Sequence, residues 1–82
     1  SLAGSLFELS NNRIVVTNVT PQQDGSFIIR LYNPEVAAEQ TNFVWKRLQP
    51  AKVLDVKTGK QLALNEAVSM AAMGVMEIRL MK

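Results

Sequence analysis

Two runs of strand-forming residues face each other across a single polar turn. "RIVVTNV" (residues 13–19) is rich in β-branched side chains, and "SFIIRLYN" (26–33) is almost continuously apolar. Between them the chain reads Pro21 to Gly25 and closes on Asp24-Gly25, a pair that tolerates positive φ. Such a pattern specifies a β-hairpin, and it fixes which residues share a face. Phe27, Ile29 and Leu31 fall on one side, Ile28, Arg30 and Tyr32 on the other. The hairpin stops at Asn33-Pro34, because proline cannot donate to a ladder and restricts the residue before it.

The rest of the chain repeats the pattern. "SLFEL" (5–9) precedes a Ser10-Asn11-Asn12 turn, and "QTNFVWKRL" (40–48) alternates, with Phe43, Trp45 and Arg47 on one side and Asn42, Val44 and Lys46 on the other. "KVLDVK" (52–57) and "KQLAL" (60–64) flank Thr58-Gly59, a second hairpin signal. In "VMEIRLM" (75–81), Met76, Ile78 and Leu80 share one face and Glu77 and Arg79 the other. "NEAVSMAAMG" (65–74) has two readings. Asn65 and Gly74 would cap a short helix, whereas Val68, Met70 and Ala72 alternate as a strand would. The alternating neighbour favours the strand.

Seven or eight short strands with turns every eight to twelve residues predict an all-β fold. The expectation is a small antiparallel β-sandwich of about seven strands, immunoglobulin-like, forming a single domain over residues 1–82. The chain opens almost directly into one strand-like run and ends inside another, as a domain cut from a larger protein would.

Chemistry is poorly provided for. The chain has no cysteine and no histidine, which removes disulfides, thiolate metal sites and the commonest general base near neutral pH. Its carboxylates fall in turns, loops and alternating strand positions, its four glycines are isolated, and no nucleophile elbow is present. Catalytic residues, bound cofactors and metal ligands are therefore not expected in this chain. "WKRLQPAKVLDVKTGK" (45–60) carries five basic residues, Lys46, Arg47, Lys52, Lys57 and Lys60, against Asp55. With one aromatic in the stretch and a formal net charge of +2, solvated strand faces account for it better than nucleic acid does. No apolar run approaches the ~20 residues of a membrane span, and no signal peptide is visible. Asn18-Val19-Thr20 matches a glycosylation acceptor, but nothing else indicates secretion. Trp45 and Tyr32 are the two side chains that could stack on a sugar ring, with core packing the competing role for Trp45.

"DGSFIIRLYNP" (24–34) resembles a recurring signature of the C-terminal β domain of glycoside hydrolase family 38, the α-mannosidases. "GVMEIRLMK" (74–82) is similar to the closing strand of those enzymes, although Gly74 stands where proline is frequent and Leu80 where threonine would be expected. The resemblance spans roughly residues 5–82. It implies a non-catalytic accessory domain of an enzyme that hydrolyses α-mannosides, such as a mannosylglycerate hydrolase-like bacterial one. It also implies that the nucleophile and a divalent metal, usually zinc, lie in a separate domain. The partners it implies are neighbouring domains of the parent enzyme, with Arg30, Tyr32 and Asn33 as docking residues. The missing signal peptide and cysteines fit a cytoplasmic setting. Two other readings stay open: a carbohydrate-binding sandwich using Trp45 or Tyr32, and a generic immunoglobulin-like interaction module.

Overall fold

A computed structural model describes residues 6–46 and 49–82. Its strands are β1 (Phe7–Leu9), β2 (Val15–Pro21), β3 (Phe27–Tyr32), β4 (Glu39–Thr41), β5 (Phe43–Trp45), β6 (Lys52–Asp55), β7 (Gln61–Leu62), β8 (Val68–Met70) and β9 (Val75–Met81). Five of them form one antiparallel sheet in the order β2-β3-β9-β6-β7. The remaining four make two short antiparallel ladders, β1 with β5 and β4 with β8. The result is a small antiparallel β-sandwich, as the turn spacing predicted.

The extra strand comes from the run 40–48, expected as one element. It divides at Asn42, whose carbonyl accepts the Ser10 amide at 3.0 Å and whose amide donates to Ser10 Oγ at 2.9 Å. β4 and β5 thus lie end to end and pair with different partners. Arg47 and Leu48, at the end of that run, lie outside the described residues. The ambiguous segment 65–74 resolves as strand β8 followed by a turn, with no helix there.

Alternation decides what is buried. From the five-stranded sheet, Ile29, Leu31, Ile78, Leu80 and Val53 point inward; from the short ladders Phe7, Phe43, Val68 and Met70 meet them. Val16 and Val19 of β2 stay on the inward face despite a bulge, because the register shifts between Val16 and Asn18. Phe7 packs edge-on to Phe43 (5.3 Å between centroids) and to Trp45 (5.8 Å).

Two glycines are dictated by backbone geometry. Gly25 closes the β2–β3 turn at φ 86°, a region L side chains rarely enter. At Gly74 a Cβ would stand 2.9 Å from the Ala71 carbonyl oxygen, which accepts the Gly74 amide at 3.0 Å. Side-chain bulk is therefore excluded from the end of the β8–β9 turn.

Candidate functional site

The inward face of the five-stranded sheet is covered by the short ladders, and the outward face is open. Its residues follow from the register. Asn18, Arg30 and Glu77 form one cross-strand row; Thr20, Ile28, Arg79, Leu54 and Gln61 form a second; Val15, Tyr32 and Val75 form a third. An outward face of an antiparallel sheet normally carries polar side chains. Here Val15 and Val75 are 41% and 55% exposed, Ile28, Tyr32 and Leu54 half-exposed. Met73 extends the third row, its sulfur 3.9 Å from the Tyr32 hydroxyl, which donates to it.

Met73 is held there at a cost. It occupies the third position of the Ala71–Gly74 turn with φ 58°, where glycine or asparagine is the ordinary choice. Its amide donates to the Glu35 carbonyl at 3.0 Å. The turn thereby presents a long apolar side chain, 57% exposed, beside the Tyr32 ring.

Arg30 and Tyr32 thus lie on the outward face, next to each other along β3. Asn33 does not join them. It is fully buried, and the polar atoms of its side chain are spent inside the domain. Its Nδ2 donates to the carbonyls of Ala37 (3.0 Å), Met70 (3.3 Å) and Ala71 (3.0 Å), and Oδ1 accepts the Glu35 amide at 3.1 Å. Its own amide donates to the Gly74 carbonyl at 2.9 Å. The Glu35 contact makes an Asx turn, but Asn33 has no surface to offer a partner. It is an internal tie between β3, the 34–38 loop and the β8–β9 turn.

An ion pair between Arg30 and Glu77 is the natural outcome of placing them opposite each other, yet it does not form. Among the described residues the ion pairs are Arg13–Glu39 (3.6 Å) and Lys46–Glu8 (2.7 Å). Arg30 instead projects into solvent.

Trp45 packs. Its ring stacks on Phe43 with centroids 5.1 Å apart and planes 12° from parallel, and its Nε1 donates to the Leu64 carbonyl at 3.2 Å. The cleft that it lines with Leu6, Phe27 and Pro50 holds about 30 Å³, too little for a sugar ring. The basic stretch 45–60 does not gather either. Lys46 follows the end of β5, Lys52 sits on β6 of the other sheet, and Lys57 and Lys60 lie at the β6–β7 turn; Arg47 lies outside the described residues.

A second opening, of about 480 Å³, lies where the layers part. Asp55, Lys57, Ser69, Met70, Met76 and Glu77 line it. The Asp55 carboxylate is committed to the backbone, accepting the amides of Lys57 at 2.9 Å and Thr58 at 3.3 Å. That arrangement shapes the β6–β7 turn. Among the described residues no three acidic, histidine or cysteine side chains converge as metal ligands would.

Met73, in a turn, was not legible as a member of the outward face. Alternation along 75–81 puts Arg79 opposite to Ile78, but only the pairing of β9 with β3 brings it beside Arg30. No family model, curated protein or solved structure matches the chain.

Proposed function

We propose that this chain is a non-catalytic accessory β-sandwich of a larger enzyme, in the manner of the C-terminal β domain of family 38 α-mannosidases. Its outward sheet face packs against a neighbouring domain. The observation that supports this is the open face itself, where Val15, Tyr32, Val75 and Met73 make a contiguous apolar end beside Arg30. Tyrosine and arginine are the residue types that most often dominate interfaces, and an apolar patch on a small sheet is best explained by something that covers it. The chemistry of such an enzyme, including any zinc, belongs to another domain on this reading, which the lack of histidine and cysteine in the chain and of converging carboxylates among the described residues supports.

Two measurements test the reading. The chain alone should not hydrolyse an aryl α-mannoside, with or without added zinc; turnover by the pure chain would overturn it. In the full-length enzyme, Tyr32→Ala should lower thermal stability while turnover per folded molecule stays near wild type. A fall in turnover of ~10²-fold or more with stability intact is the scale of losing a catalytic group. That result would move Tyr32 into a substrate pocket and end the accessory reading.

A further inference from the structure

We propose that the surface covering the outward face is a protein surface presenting carboxylates among apolar side chains, with Arg30 and Arg79 as the residues that recognise them. The inference rests on the docking reading above and adds the chemistry of the partner.

The charges on the face are unbalanced. Arg30 on β3 stands opposite Glu77 on β9, and Arg79 stands opposite Ile28, so the two arginines are diagonal neighbours on adjacent strands. Diagonal positions lie ~7–8 Å apart at the backbone, within the span of one or two carboxylates. Lys52 adds a third cation, because Val53 points inward and its neighbours therefore point outward. Glu77 is the single carboxylate in the cross-strand rows and bonds neither arginine. Asp24, at the end of the sheet, feels the charge of Arg79 but is engaged by Ser26.

The interleaved side chains select among possible anions. Ile28, Leu54, Tyr32 and Val75 alternate with the cations and need an apolar counterpart, which a protein supplies and a polyphosphate does not. Three cations are also few for holding a nucleic acid backbone against salt. A second copy of this chain would bring two faces of the same positive sign together. Guanidinium groups suit carboxylates in particular, through paired hydrogen bonds that lysine cannot make.

The test is an NMR titration of the ¹⁵N-labelled chain with a random glutamate–tyrosine copolymer, with polyglutamate and heparin as comparators. The expected result is amide shifts concentrated at Ile28, Arg30, Tyr32 and Arg79, strongest with the copolymer and weakened by salt. Arg30→Gln with Arg79→Gln should weaken binding by about tenfold or more with an unchanged melting curve. If Tyr32→Ala abolishes the copolymer shifts while the arginine pair can be replaced without effect, the charge inference is wrong and the docking face stands. If the shifts fall elsewhere, or heparin moves Lys57 and Lys60 instead, both fail. Sedimentation should give a monomer; a dimer that dissolves on replacing Arg30 would overturn the proposal in favour of self-association.

Discussion

Single residues hold the ends of this fold together. Asn33 closes the seam where β3, the following loop and the β8–β9 turn meet, with three donated bonds and one accepted bond from one buried amide. Asn33→Ala removes all of these bonds; the Ala71 carbonyl keeps the Gly74 amide, but a buried group left without a partner costs about 1–3 kcal/mol. Since some regain water, the expected loss is about 2–4 kcal/mol in urea unfolding; a loss under about 0.5 kcal/mol would show the seam to be held otherwise. Met73 makes the opposite case. A left-handed conformation costs a non-glycine residue about 1–2 kcal/mol, and asparagine bears it more easily. Met73→Asn should raise Tm by about 2–8 °C, the shift expected for a gain of about 0.5–1 kcal/mol in so small a domain. A fall in Tm would mean that the contact with Tyr32 outweighs the strain. Asp24 sets an acid limit. The Ser26 hydroxyl (2.6 Å) and then the Ser26 amide (2.9 Å) bond its carboxylate and hold its pKa below the ordinary 3.8. Its contribution is therefore whole above about pH 4 and is lost as acid carries the solution down through the lower folded value. Asp24→Asn should flatten that part of the acid-unfolding profile and lower stability at neutral pH, where the contribution of the ionised carboxylate is whole.

At the level of elements, the hairpin β2–β3 carries the sheet and β9 completes it. β3 lies between β2 and β9, so each of its side chains is flanked on both sides. Ile29 pairs with Val19 and Ile78 and is fully buried; Ile28 pairs with Thr20 and Arg79 on the open face. Truncating a buried isoleucine costs about 2–5 kcal/mol, the lost transfer energy plus the cavity. Ile29→Ala should therefore cost that much in urea unfolding, and Ile28→Ala less than about 1 kcal/mol. Equal losses would contradict the assignment of faces, since a one-residue slip reverses every side chain. β2 is an edge, and its bulge at Thr17, with Thr17 Oγ1 donating to the Arg30 carbonyl at 3.3 Å, disrupts the regular ladder that another strand could extend.

For the whole molecule, the decisive event is the closing of the short ladders over the large sheet. The aromatic trio of Phe7, Phe43 and Trp45 anchors that layer. Trp45→Ala should cost about 2–4 kcal/mol, somewhat under the full range for a buried tryptophan because the ring is only half-buried. Its fluorescence should be indifferent to mannose oligosaccharides, and a sugar-dependent shift would restore the stacking role. Local pattern sufficed for the all-β class, for both tight hairpins, and for the inward set Ile29, Leu31, Ile78 and Leu80, because alternation at period two depends only on neighbours along the chain. It also sent Arg30 and Tyr32 outward together. Which strand lies beside which is a different matter. That depends on contacts between residues far apart in sequence, and these brought Arg79 next to Arg30, split the run 40–48 at Asn42, and set the distant β8–β9 turn against Asn33. A short amide in front of a proline reads as a strand end. Only the tertiary structure, by surrounding it with the carbonyls of Ala37, Met70 and Ala71, makes Asn33 a buried tie instead of a docking contact.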